Sequence, residues 1–196
     1  MKVFIIGLGN PLPEYSGTRH NAGQSAVEAF RIKNNFPAWK RDDKKEALVS
    51  LGEFEGKEVV LILPQTFMND SGRAVRKFLK SSKEVENALI VHDELDLPIG
   101  SMKVVFDRGH AGHNGVLSVI NFLGTQAFSR LRIGIVRGGG KGLLLKPLHE
   151  DEMNHFIVGR FSEAEATELS PVFDRAVNSI EMFILDRDPI TSPQLL

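Results

Sequence analysis

Four short segments of the chain concentrate residue types that do chemistry. The first is Gly7-Leu8-Gly9-Asn10-Pro11, with Thr18-Arg19-His20-Asn21 just beyond it. The second is Gln65-Thr66-Phe67-Met68-Asn69-Asp70-Ser71-Gly72. The third, Val91-His92-Asp93-Glu94-Leu95-Asp96, places three acids within residues 93–96. The fourth is Asp107-Arg108-Gly109-His110-Ala111-Gly112-His113-Asn114-Gly115, where glycine lets backbone approach a ligand closely. Together they supply one candidate general base, His20, one carboxylate to orient it, Asp93, and three neutral amides, Asn10, Asn69 and Asn114. An imidazole held by a carboxylate can take a proton from water. Side-chain amides can polarise a carbonyl and stabilise an oxyanion, and they can bind peptide backbone because each offers donors and an acceptor. No nucleophile is evident. The chain has no Cys, and Ser71, in Asp70-Ser71-Gly72, lacks the G-x-S-x-G elbow. These residues therefore support direct attack by water on a carbonyl.

Each segment also has a plainer reading. Gly7-Leu8-Gly9 invites comparison with a dinucleotide fingerprint, but the third glycine position is Leu12 and prolines intervene before the next helix. Phosphate binding there needs the helix to start at once, so a tight turn is expected instead. Asn69, Asp70 and Ser71 suit a helix cap as well as a cleft in which Phe67 and Met68 supply contact area. One or two of the three acids in the third segment are expected to be ordinary surface. His110 and His113 are three residues apart with no convincing third ligand, so no metal is expected.

The elements that must position these groups alternate along the chain. Strands are predicted at residues 3–6, 47–51, 59–63, 88–91, 102–106 and 131–136, from short β-branched and apolar runs bounded by turn residues. Helices are predicted at residues 21–34, 71–79 and 116–123, with Ala74, Val75, Phe78 and Leu79 forming one apolar face. Ser162-Glu163-Ala164-Glu165 is a capping box, and Ser170-Pro171 is expected to restart a helix with Pro at its tolerated first position. Residues 107–115 and 138–151 read as loops, the latter a long surface loop. Alternation of strands and helices predicts an α/β class with a mixed, mostly parallel sheet.

The 196 residues, 42% hydrophobic and 25% charged, suit a single domain over residues 1–196. The longest apolar runs, such as residues 59–63, fall far short of the about 20 residues a membrane helix needs. The N-terminus lacks the pattern of a signal peptide, so a cytoplasmic location without membrane contact is expected. The near-balanced charge, 24 basic against 25 acidic residues, conceals an asymmetry. Residues 1–146 carry a net +6 and residues 147–196 a net −7. A basic face and an acidic C-terminal face are predicted, with local rather than net charge governing phosphate contact.

The four segments, in this order, resemble the bacterial peptidyl-tRNA hydrolase family. The likeness rests on residues 7–11 with Glu14-Tyr15 and Thr18-Arg19-His20-Asn21-Ala22-Gly23, on residues 64–72, on His92-Asp93-Glu94-Leu95-Asp96-Leu97-Pro98, and on Gly112-His113-Asn114-Gly115 with Leu131-Arg132-Ile133-Gly134. It covers roughly residues 1–190. The resemblance implies hydrolysis of the ester joining a peptide to the 3′ end of tRNA, which recycles tRNA in translation. It also implies a monomer with a twisted mixed sheet flanked by helices, and no metal or cofactor. By the same resemblance His20 is the general base and Asp93 its orienting partner. Asn10, Tyr15, Met68, Asn69, His113 and Asn114 are substrate contacts, Asn114 also positioning water. Lys103 and Arg132 contact tRNA.

Two departures from the family pattern stand out. The glycine-rich stretch before the His-Asn motif is Phe106-Asp107-Arg108-Gly109, and a basic residue often found two after Lys103 is Val105. Arg108, three residues on, is expected to supply the missing charge toward tRNA. Residues 138–155 are longer than usual and lie where a flexible cover near the cleft is expected. A catalytically silent RNA-binding protein on the same scaffold would be marked by loss of the catalytic groups, yet His20, Asp93, Asn10, Asn69 and Asn114 are all present.

Overall fold

The computed structural model of the chain describes residues 2–139 and 143–186. Seven strands form one sheet: β1 Lys2–Gly7, β2 Lys40–Asp42, β3 Ala47–Phe54, β4 Lys57–Pro64, β5 Ala88–Pro98, β6 Met102–Phe106 and β7 Ser129–Val136. Their order is β2-β3-β4-β1-β5-β7-β6. The central four, β4, β1, β5 and β7, are parallel to one another. Antiparallel pairs close both sides, β2 on β3 and β3 on β4 at one edge, β6 on β7 at the other. The sheet is mixed with a parallel centre, as the alternation of elements predicted.

The helices are α1 Ala22–Lys33, α2 Ser71–Val75, α3 Ser82–Glu86, α4 Asn114–Leu123, α5 Glu150–Val158 and α6 Glu163–Asp186. Central strands buried on both faces need apolar residues throughout, and Lys2–Gly7 is buried from Val3 onward. Val3 and Ile5 pack with Ala26, Phe30, Val177 and Ile180 of α1 and α6. Phe4 and Ile6 point the other way, toward Val75 of α2 and Val116 and Val119 of α4.

Several elements differ from the sequence expectation. The strand expected at residues 88–91 continues to Pro98, so the acids at its end are strand residues. Asp93 and Glu94 are buried, while Asp96 is exposed. The helix expected at 71–79 is regular only over Ser71–Val75. The predicted 138–151 loop gives way at Glu150 to helix α5, and residues 140–142 of that loop lie outside the described residues. Helix α6 runs straight through Pro171 instead of restarting there. Pro171 and Thr167 are both exposed, so the carbonyl that loses its partner faces solvent, and the buried stripe Leu169, Val172, Ala176, Ile180 stays continuous. Strand β2 and the short α3 were not anticipated, although α3 begins with a capping box at Ser81 and Glu84.

The glycines after β1 serve packing. A Cβ on Gly7 would lie 2.7 Å from the Gly23 carbonyl oxygen, and one on Gly23 would clash with the Val91 carbonyl oxygen. The first turn of α1 therefore rests directly on the backbone ends of β1 and β5. His20 precedes that turn and Asp93 follows Val91, so this contact sets the distance between them. Gly23→Ala should lower stability by about 1–3 kcal/mol, the usual range for overpacking, as read from the denaturant midpoint. An unchanged midpoint would show that the helix can lift off without cost.

Candidate active site

Asp93, in the middle of β5, sits 2% exposed between two imidazoles. Its carboxylate lies 3.0 and 3.1 Å from His20 Nδ1 and 2.9 Å from His113 Nε2. An ionised carboxylate only accepts hydrogen bonds, so both of those nitrogens carry protons. His113 Nδ1 accepts from the backbone N–H of Gly115 at 3.1 Å and of Val116 at 3.2 Å, which caps α4 and fixes the same tautomer from the other side of the ring. With Nδ1–H of His20 committed to Asp93, its Nε2 keeps its lone pair.

The electrostatics agree. Burial alone would push the His20 pKa down, but the Asp93 carboxylate, by charge and hydrogen bond, overrides burial and raises it above the usual 6.5. Burial would raise Asp93, yet His20 and His113 beside it hold its carboxyl well below the ordinary carboxylate range. His92, fully buried, donates Nδ1–H to the Asp93 carbonyl at 2.6 Å. Burial first, and then the neighbouring His113, push its pKa well down, so it stays neutral. Its ring packs edge-on to His113 at 4.6 Å.

The turn bearing His20 is a single 3₁₀ turn, Arg19–Asn21, ahead of α1. Neighbouring side chains tie it down on both sides. Asn21 clamps Asn10, accepting from its N–H at 2.9 Å and donating to its carbonyl at 3.0 Å. Arg19 forms a bidentate pair with Glu165 at 2.8 and 3.1 Å, donates to the Arg160 carbonyl at 2.8 Å, and stacks over Phe156. Glu165 closes the predicted capping box by accepting from Ser162 N–H at 2.7 Å. Asn21, Gln24 and Arg19 were not assigned roles from the sequence. Their signal was proximity to His20 within one motif.

Of the three amides, Asn114 follows His113 at the start of α4, while Asn10 and Asn69 flank Met68, which packs on Gly115. Asn10 is buried; its Oδ1 accepts from Met68 N–H at 2.8 Å, which leaves its Nδ2 without a partner among the described residues. Asn69 and Asn114 are exposed, and neither side chain is hydrogen-bonded within the described residues. The helix-cap reading of residues 69–71 is not realised. Asp70 makes no cap bond and pairs with Arg73, and Ser71 donates back to the Met68 carbonyl. Met68 is buried against Gly115, beneath the site, and offers little surface to a ligand. Tyr15 is half-buried and meets the exposed ring of Phe67 edge-on at 6.3 Å. A cleft of about 370 Å³ opens beside His20, Asp93, His113 and Asn114, with Met153, Asn154 and Ile157 of α5 as its facing wall. The α5 wall was invisible in a sequence read as loop. Glu150 also lines this cleft, and Lys146 pairs with Asp96 at its edge. The predicted separation into a basic and an acidic face therefore fails here, because acidic α5 stands over the site.

His20, Asp93 and His113 are close enough to surround a cation, their ligand atoms lying within 4.8 Å of one another. His20 Nε2 is free, but His113 could ligate only by giving up the N–H it donates to Asp93 or the Nδ1 lone pair that caps α4, since it has no other free nitrogen. His110 stands outside this cluster, accepting from Gly112 N–H. The donor set reads as a hydrogen-bonded triad.

The three predicted tRNA contacts lie on and beyond the β6–β7 edge. Lys103 is exposed and directly opposite Arg132, whose Nε donates to the buried Glu94 at 2.7 Å. Arg108 is exposed just past the end of β6. Val105, where the family pattern often has a cation, is opposite Arg130, itself 2% exposed.

Comparison with known proteins accords with this geometry. A family model described as peptidyl-tRNA hydrolase matches residues 4–192. The peptidyl-tRNA hydrolase of Geotalea uraniireducens is 38% identical over 188 residues, 95% of this chain and 92% of that protein. That of Syntrophotalea carbinolica is 35% identical over 181 residues, 92% and 89% of the two chains. Among solved structures, peptidyl-tRNA hydrolase from Acinetobacter baumannii superposes with a TM-score of 0.82 at 34% identity, covering 93% of this chain and 88% of that one. The chain belongs to the peptidyl-tRNA hydrolase family.

Proposed function

We propose that the protein hydrolyses the ester between the peptide and the 3′ end of tRNA, using water activated by His20. One observation carries this reading: the hydrogen bonds of Asp93 and the α4 cap leave His20 Nε2 unprotonated beside the cleft. His20 takes a proton from water as the water oxygen bonds to the ester carbonyl carbon. Asp93 stabilises the imidazolium that forms. In this reading the tetrahedral oxyanion is stabilised by the side-chain N–H groups of Asn10 and Asn114, which have no other partner among the described residues. Collapse breaks the bond to the tRNA 3′ oxygen, which leaves with the proton from His20. Peptide carboxylate and free tRNA result, with no cofactor in the balance.

Asn69, Tyr15 and His113 complete the substrate contacts in this reading, and Met68 supports them from below. Lys103, Arg108 and Arg132 face the phosphates of the tRNA. One chain contains every group the reaction uses, so the proposed working form is a monomer. The proposed location is the cytoplasm, where translation produces the substrate. No described helix is long and apolar enough to cross a membrane.

Three measurements test this reading. With an N-blocked aminoacyl-tRNA, wild-type protein should release free tRNA, and His20→Ala should be slower by on the order of 10²-fold or more. Equal rates would remove His20 from its role. The rate at low substrate should fall as pH drops through the titration of His20, at a value above 6.5 because Asp93 raises it. In Asp93→Asn the carboxylate no longer opposes burial, so this limb should move to lower pH while the rate falls on the order of 10³-fold or more. A limb that stays in place would contradict the assignment. Arg108→Glu should weaken tRNA binding and flatten the dependence of log affinity on log salt by about one unit of slope. Unchanged affinity and slope would exclude Arg108 as a phosphate contact.

A further inference from the structure

Arg130 is a buried cation that the proposed reaction does not use. It lies on β7, 2% exposed, and is the largest fully buried side chain among the described residues. Among those residues no carboxylate pairs with it; the nearby Glu94 is taken by Arg132. A buried charge without a counter-ion is costly unless hydrogen bonds compensate it. Here they come from backbone: Nη2 donates to the carbonyls of Arg108 at 2.8 Å and Gly109 at 3.0 Å.

Those carbonyls belong to the loop that brings His113 to Asp93. The loop leaves β6 through Asp107 at φ 49° and reaches His113 through Ala111 at φ 49° and Gly112 at φ 82°. Two of these three are non-glycine residues in the left-handed region, a conformation that surrounding structure must hold. Within the loop, His113 N–H donates to the His110 carbonyl and Gly112 N–H to His110 Nδ1. Between the end of β6 and the His113–Asp93 bond, Arg130 supplies the side-chain hydrogen bonds from the sheet to this loop among the described residues. His113, at the far end, both caps α4 and donates to Asp93.

We propose that Arg130 is a positioning residue of the hydrolytic site, gripping the loop by two carbonyls so that His113 stays hydrogen-bonded to Asp93. The inference rests on His20 as the base. Its effect on catalysis arises from charge. The His113 N–H draws off part of the Asp93 carboxylate's negative charge. If the loop lets go, Asp93 pulls harder on the His20 proton, and His20 becomes more reluctant to return as a free base. The other charged groups lining the cleft around His20 are Glu94 and Asp96 on β5, Lys146, and Glu150 of α5. None of them is hydrogen-bonded to Arg130, and Arg130→Lys keeps the charge that Glu94 feels, so the variant tests the path through His113.

Arg130→Lys keeps the charge but, being shorter, draws its donor nitrogen back from the two carbonyls, and is the first variant; Arg130→Met removes both charge and donor. Histidine ring NMR follows the His20 titration and the His113 tautomer in the free protein, and steady-state cleavage of N-blocked aminoacyl-tRNA follows the reaction. In Arg130→Lys the His20 titration should move up by roughly half a pH unit, with kcat below that titration down about threefold and KM little changed. Combined with His113→Ala, Arg130→Lys should have no further effect on either quantity, because its route is already cut. Wild-type values in Arg130→Lys would overturn the proposal. So would a full additional loss in the His113→Ala background, which would mark Arg130 as a general support of the fold. The NMR arm needs no turnover. A wild-type protein that cleaved no ester would overturn the hydrolase reading while leaving the Arg130 test intact.

Discussion

The site depends on one buried carboxylate with two imidazole donors. Asp93 is ionised in a place where burial opposes ionisation, and it stays so because His20 and His113 both donate to it. Removing either donor would leave charge under-satisfied in a low-dielectric pocket, which is far costlier than losing the same contact in water. The carboxylate therefore constrains three separate pieces of chain at once: the middle of β5, the turn before α1 and the loop before α4. It also decides which nitrogen of His20 is free, and so leaves that lone pair beside the cleft.

The fold supplies that convergence with contacts that tolerate little change. Helix α1 lies against strand backbone because Gly7 and Gly23 have no side chains there. Asn21 fixes the β1 turn to the His20 turn with a reciprocal pair of hydrogen bonds. Arg19 ties the same turn to the junction of α5 and α6 through Glu165, which also caps α6. The C-terminal helices thus reach the site through a buried ion pair. Their surplus acidic charge is accordingly not set apart on a remote face. Some of it neutralises Arg19, and some, through Glu150, borders the cleft itself.

Arg130 and Arg132 show the same economy on the other side of Asp93. The Arg130 guanidinium lies under the 107–113 loop and meets backbone carbonyls. Arg132, two residues on, is partly buried and pairs with Glu94, while Lys103 opposite it and Arg108 beyond the sheet are exposed. Neighbouring arginines on one strand therefore do different work.

Much of this was legible in the sequence. Residue type and order alone singled out His20, Asp93 and the three asparagines. Strand patterns of β-branched residues located the central strands to within a few positions. Those signals are local: a hydrophobic period, a capping box, a histidine in a polar run. The 88–91 strand was read too short because acids normally end a strand, and only burial between two histidines explains why β5 continues through them. Helix α5 is hard to see in the sequence because its apolar face is short, only Met153, Phe156 and Ile157, and only partly buried. Pro171 was read as a helix start because its neighbours across the core are not visible along the chain. The roles of Arg130, His113 as a cap, and Asn21 as a clamp depend on partners distant along the chain or on backbone atoms. The chain's composition and motifs determined which chemistry was available. Which nitrogen is protonated, which charge is buried and which amide is left free were decided only when the tertiary structure chose each group's hydrogen-bond partner.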